Sequence, residues 1–144
     1  MKTALLVGLG IVLLWLLIRL GLHFFGPVAQ NLLDNNRLSP CPSPLNCYFV
    51  SIDLDKQPPS PALLQQLQQA VESMPGSRIV EASDSYLYAT FTTRLMGYTD
   101  DLECLIDATS LHCRSASRVG RSDLGANKKR VNQLLSKAGI VTAR

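Results

Sequence analysis

Residues 100–118 read "DDLECLIDATSLHCRSASR", and this stretch decides the fold. Two alternating runs flank Ala108–Thr109. On the way in, Leu102, Cys104 and Ile106 alternate with Glu103, Leu105 and Asp107. On the way out, Leu111, Cys113, Ser115 and Ser117 alternate with His112, Arg114, Ala116 and Arg118. A period of two marks strands with unlike faces. A tight turn centred on Ala108–Thr109 makes them an antiparallel hairpin and sets Cys104 directly across from Cys113.

Working outward, "YLYATFTT" (residues 86–93) alternates as well, with Leu87, Ala89 and Phe91 on one side and Tyr86, Tyr88, Thr90 and Thr92 on the other. Arg78–Ala82 reads as a strand before a turn at Ser83–Ser85, and "LMGYT" (residues 95–99) as strand with a bulge or bend at Gly97. "CYFVSIDL" (residues 47–54) is aromatic and β-branched, hence another strand. Between it and Arg78 lie Leu63, Leu64, Leu67, Val71 and Met74 at helical spacing. Ser60–Pro61 opens that helix and Pro75–Gly76 closes it. A last helix is expected over about residues 128–138, with Asn127 as N-cap, Val131, Leu134 and Leu135 facing the core, and Gly139 at its end. The order strand, helix, four strands, helix predicts an α+β fold: an antiparallel sheet of about five strands with two helices on one face.

The chain opens differently. Ala4–Ile18 carries no charge and is dominated by Leu, Val and Ile; Arg19 interrupts, and apolar character resumes to Phe25 around His23. As a helix, residues 4–25 rise roughly 33 Å, enough to cross a bilayer core of roughly 30 Å. Arg19 can snorkel to the headgroups. A cleaved signal peptide and a buried core helix are the alternatives. Pro27 in "GPVAQ" sits badly for cleavage, and the segment is too uniform for an amphipathic helix. The expected layout is a membrane anchor over residues 1–25, a Pro/Asn-rich linker over 26–45, and a globular domain over 46–144. The domain is expected on the periplasmic, non-cytoplasmic side.

Four cysteines bear on the compartment. Cys41 and Cys47 frame "CPSPLNC", a loop that can close as a disulfide where conditions are oxidising. Cys104 and Cys113 read first as two small buried apolar residues, with a cross-strand disulfide as the alternative. The set lacks the CxxC spacings and nearby histidines of a zinc site, so no structural metal is expected.

Charge is segregated. Before residue 114 there are six Lys/Arg against ten Asp/Glu; from Arg114 onwards there are eight against one, which recovers the overall +3. Arg114 and Arg118 share a sheet face, and Asp100 and Asp101, at the start of the neighbouring strand, are their natural partners. "GRSDLGAN" (residues 120–127) then turns into a helix whose first turn holds Lys128, Lys129 and Arg130. The helix dipole disfavours cations there, although free N–H groups at such an end attract anions. Two readings stand. In one, Arg114, Arg118 and Arg130 form a buried network with Asp100, Asp101 and Asp123, with Gly120 and Gly125 shaping the turn. In the other, Arg114, Ser115, Ser117, Arg118, Asn127 and Arg130 hold an anionic small molecule or a lipid headgroup. Nucleic acid is not expected, because no aromatic residues interleave the cations.

Catalysis finds little support. His23 lies in the apolar segment, and His112 points away from Ser115, so no nucleophile–base pair forms locally. The turn lacks the GK[ST] ending of a P-loop. An enzyme would have to use Asp100, Asp101 and Asp123, as in metal-assisted hydrolysis. No motif implies a cofactor.

"GYTDDLECLID" (residues 97–107) followed by "RSASRVGRSDLGANKKRV" (residues 114–131) resembles the family called domain of unknown function 1499. The likeness spans roughly residues 41–138. It includes Asp100, Asp101, Arg114, Ser115, Ser117, Arg118, Gly120, Asp123, Gly125, Asn127 and Arg130. Leu45 intrudes into the family's early "CP…PNC" element, and leucine replaces an aromatic residue early in the first helix. The resemblance implies no established reaction. It implies that the motif residues belong together and that an N-terminal apolar segment is common. The expected role is a membrane-anchored, non-catalytic module that binds an anionic ligand or an envelope partner.

Overall fold

The computed structural model describes residues 2–29, 32–54 and 61–140. The elements in chain order are α1 (Lys2–Phe25), β1 (Leu33–Asp34), β2 (Arg37–Leu38), β3 (Cys47–Asp53), α2 (Pro61–Glu72), β4 (Ser77–Ala82), β5 (Tyr86–Thr92), β6 (Thr99–Ile106), β7 (Ser110–Ser117) and α3 (Ala126–Lys137). The capping role expected of Ser60 lies outside the described residues.

Five strands form one antiparallel sheet in the order β3-β7-β6-β5-β4. The β6–β7 hairpin turns where its alternation places it, pairing Cys104 with Cys113 and Glu103 with Arg114. Both cysteines are free and fully buried, with sulfurs 2.7 Å apart. Burial pushes the Cys104 thiol pKa well up. Residues 93–98 form a turn rather than a strand, with Gly97 at φ +74°. The register shift of the sheet lies instead in β4, between Ile79 and Glu81. Gly76 is required: at φ +79°, a Cβ there would meet the Thr92 carbonyl oxygen at 2.5 Å.

Each face of the sheet has its own cover. α2 and α3 pack on the face carrying Leu87, Ala89, Phe91, Leu102, Cys104, Leu111 and Cys113. Leu67, Val71, Val131 and Leu134 are fully buried there. Burial of each such aliphatic side chain stabilises by about 1.5–3 kcal/mol. The opposite face buries Tyr86, Tyr88 and Leu105 under Ala29, Leu32, Leu33 and Leu38, residues of or beside the small β1–β2 hairpin. Asn35 and Asn36 take φ +47° and +59° in its two-residue turn, the conformation that suits the twist of paired strands.

α1 is long and apolar enough over Lys2–Leu22 to cross a membrane, and none of that stretch is buried in the domain. It meets the domain at its C-terminal end. The Trp15 indole donates to the Leu95 carbonyl at 3.0 Å, and the Arg19 guanidinium donates to the Arg94 carbonyl.

Candidate functional site

The motif residues converge where β6, β7 and the start of α3 meet, but the sheet divides them. Asp100 and Asp101 are neighbours in a strand, so their carboxylates leave on opposite faces. On the helix face, Asp100 accepts from the Arg130 guanidinium at 2.5 Å, and the same guanidinium donates to Ser115 Oγ at 2.9 Å. Arg130 also lies over the Phe91 ring, 4.9 Å from its centroid.

Asn127 organises this face. Its amide donates to the Asn46 carbonyl at 2.9 Å and to Ser117 Oγ at 3.0 Å, and its oxygen takes bonds from Ser115 Oγ (2.7 Å) and Arg130. The Ser115 hydroxyl has one proton, which goes either to Asn127 or to the Asp101 carbonyl at 2.9 Å. Ser115 and Asn127 are fully buried.

Asn127 is therefore not the helix cap. α3 begins two residues earlier than expected, at Ala126, and its N-cap is Gly125 in a left-handed conformation. Asp123 supplies the capping oxygens, accepting from the Gly125 and Asn127 N–H groups at 2.8 Å each. Burial pushes the Asp123 carboxyl up, but these two N–H groups outweigh it and hold the pKa below the usual range. Asp123 thus faces main-chain donors and not an arginine. Gly120 contributes its carbonyl to Asn46 Nδ2 at 2.8 Å.

On the opposite face two arginines are locked beside two tyrosines. Glu103 and Arg114 stand directly across the β6–β7 ladder and pair at 2.7 Å, both buried. Tyr86 donates to the other Glu103 oxygen at 3.0 Å. Burial raises the Glu103 carboxyl above its usual range against the pull of Arg114 and Tyr86, and raises the Tyr86 phenol further. Arg114 Nε, buried, has no partner among the described residues. Arg118 grips Asp101 with Nε at 3.0 Å and Nη2 at 2.7 Å, and Tyr88 donates to the same carboxylate at 2.8 Å. Asp101 raises the Arg118 pKa, while burial pushes the Tyr88 phenol up to about 12. Arg118 also reaches the Pro27 carbonyl at 3.3 Å and so ties the end of α1 to the sheet.

The six expected ligand-binding residues therefore lie in two hydrogen-bonded clusters joined through Ser115 and the Asp101 main chain. Glu103, Tyr86, Tyr88 and Asn46 complete these clusters. Asp100, Asp101 and Asp123 do not converge on one point, and no group of three or more His, Cys, Asp or Glu residues that could hold a metal occurs among the described residues.

Two cavities open beside the clusters. One, of about 400 Å³, lies on the helix face between the end of α2 and the start of α3; Arg130, Lys129, Arg94, Phe91 and Gln133 line it. The other, of about 310 Å³, lies on the opposite face among Arg118, Arg19, Tyr98, Thr99 and Val28. Arg94 is the cation that sequence reasoning did not place, since residue 94 lies far from the basic motif along the chain.

No curated protein and no solved structure matches the chain closely enough to count as similar. Residues 37–137, more than two thirds of the chain, match the family described as "Protein of unknown function (DUF1499)", and the chain belongs to that family.

Proposed function

We propose that the chain is a single-pass membrane protein of the cell envelope, anchored by α1, whose domain faces the periplasm or an equivalent space. There it acts as a non-catalytic binding module for an anionic ligand. The observation that carries this reading is the 400 Å³ cavity, where Arg94, Lys129 and Arg130 meet. Asp100 balances Arg130, while Arg94 and Lys129 have no acidic partner among the described residues. A small phosphate or carboxylate would find surplus positive charge there, a rigid guanidinium and an aromatic floor. Cys41 and Cys47, joined by a disulfide with Cα atoms 5.5 Å apart, favour an oxidising compartment.

The test is a thermal-shift titration of the full chain in detergent with inorganic phosphate and with small carboxylates. A rise in melting temperature that is lost in Arg94→Ala and Lys129→Ala supports the reading. No rise with any anion, or a rise that survives both substitutions, refutes it.

A further inference from the structure

Cys47, Ser77, Thr92, Thr99 and Ser117 all lie at one end of the sheet, because each closes a ladder there. α3 starts at this end, and α1 leaves from it. Outside α1, eight large apolar side chains are exposed among the described residues, and all but Phe49 and Val80 sit here: Val28, Leu45, Leu95, Tyr98, Val119 and Leu124. Leu95 is 70% exposed and Leu124 is 97% exposed. Leu124 also has φ +52°, in the left-handed region that leucine avoids. A leucine that is both backbone-strained and wet is unfavourable twice over, and an apolar phase beside it would remove one of the two costs.

The same end carries Arg94, Arg121, Lys128 and Lys129, none of them ion-paired among the described residues, against Glu72 and the capping Asp123. Lys128 lies 5.9 Å from the Tyr48 ring centroid. The opposite end, where β3, β4 and β6 finish, holds Asp53, Glu81, Asp84 and Asp107, against Lys137 in the last turn of α3. Charge and exposed apolar surface are therefore polarised along one axis.

The position of α1 fixes what this end faces. Lys2 and Arg19 bracket an uncharged stretch that rises roughly 26 Å at 1.5 Å per residue. Trp15 lies one turn inside Arg19, at the depth where aromatic side chains gather in bilayers. Both side chains hold main-chain carbonyls of the Arg94–Tyr98 turn. With α1 across a bilayer, that turn would lie at headgroup level.

We propose that this end of the domain docks on the bilayer leaflet from which α1 emerges. Leu95 and Leu124 enter the headgroup–acyl boundary, and Arg94, Arg121, Lys128 and Lys129 meet the phosphates of anionic lipid. The inference rests on α1 spanning the membrane, as in the reading above, but not on a small anion filling the cavity, although Arg94 and Lys129 belong to both.

The full chain, reconstituted into vesicles, tests it. Leu95→Cys, Leu124→Cys and, at the opposite end, Asp84→Cys are each labelled with an environment-sensitive fluorophore. The native cysteines are bonded or buried, so the new thiol reacts selectively. In phosphatidylcholine containing about a third phosphatidylglycerol, labels at 95 and 124 should shift to the blue and become severalfold less quenched by aqueous iodide than the label at 84. Alanine at all four cations, or phosphatidylcholine alone, should reverse this shielding at 124. Labels at 95 and 124 as accessible as the one at 84 would overturn the proposal. Shielding at 124 that ignores both lipid charge and the four cations would overturn its anionic-lipid part. Extraction of the chain from vesicles by alkaline carbonate would overturn both this proposal and membrane anchoring. The phosphate titration in detergent is independent of all three outcomes.

Discussion

Asp100 and Asp101 are consecutive in β6 and bind arginines on opposite faces of the sheet, Arg130 at 2.5 Å and Arg118 at 2.7 Å. The two pairs fasten different things. Asp100 fixes α3 to the sheet; Asp101 fixes the segment that leads out of α1, through Arg118 and Pro27.

Arg130→Met and Arg118→Met should each lower stability by about 2–5 kcal/mol, because each leaves a largely buried carboxylate without its cation. Since the pairs lie on opposite faces, the double variant should lose the sum to within about 0.5 kcal/mol. Urea denaturation of the three variants measures this. A larger coupling would show that the link through Ser115 transmits strain across the strand.

Arg114→Met should cost about 3–5 kcal/mol, since Glu103 stays behind fully buried. Replacing the whole cluster with apolar groups (Arg114→Met, Glu103→Leu, Tyr86→Phe) should recover most of that loss. The pH dependence of Arg114→Met has a definite sign. Burial already raises the Glu103 pKa above its unfolded value, and loss of Arg114 raises it further. The contribution is therefore greatest below the unfolded pKa and falls away as pH rises through the folded one. The variant should thus gain stability relative to wild type on acidification from neutral pH, a trend that melting temperatures will show.

Asp123→Ala should destabilise α3 by about 1 kcal/mol, the usual cost of losing a cap acceptor, and Asp123→Asn by less. The folded Asp123 pKa is depressed, so its contribution is complete above the unfolded carboxyl pKa and lost as pH falls through the folded value. Hydrogen exchange of the Gly125 and Asn127 amides in wild type and variants reads the cap directly.

At the far end of the sheet, Asp107 accepts from His112 at 2.8 Å and from the N–H groups of Thr109 and Ser110. These bonds, His112 first, hold its carboxyl down to about 2, against an ordinary 3.8. Its stabilisation is present above pH 3.8 and disappears as pH falls towards 2. His112→Ala should shrink this acid-labile part, as the difference between melting curves recorded across that range will show.

Most of the sheet was legible because strand alternation carries both pairing and face. The β6–β7 turn alone places Glu103 opposite Arg114, so that buried pair is readable from register, whereas the sequence reading pairs the arginines with Asp100, Asp101 and Asp123. Tyr86 and Tyr88 were assigned the correct face, but nothing in their own run indicates what covers it. The cover comes from "DNNR" (residues 34–37), where two asparagines that suit positive φ make a hairpin turn instead of a simple break. Asn127 looked like a cap because it precedes the cations. Gly125 and Asp123 set the helix start upstream, since a left-handed glycine whose N–H, with that of Asn127, is captured by Asp123 is the stronger start signal. Arg94 was out of reach because cavities gather residues by tertiary packing.

The register shift in β4 acquires a meaning once copies of this chain share a bilayer. If α1 anchors the chain as proposed, its copies stand the same way up and meet sideways. β3 and β4, the two outer strands of the sheet, both run from the end where α3 starts to the opposite one. Neighbours could thus join β3 of one to β4 of the next, in parallel, without limit. The extra residue between Ile79 and Glu81 breaks the even spacing of donors and acceptors such a junction needs. One displaced residue thus makes β4 a poor template for edge-to-edge pairing.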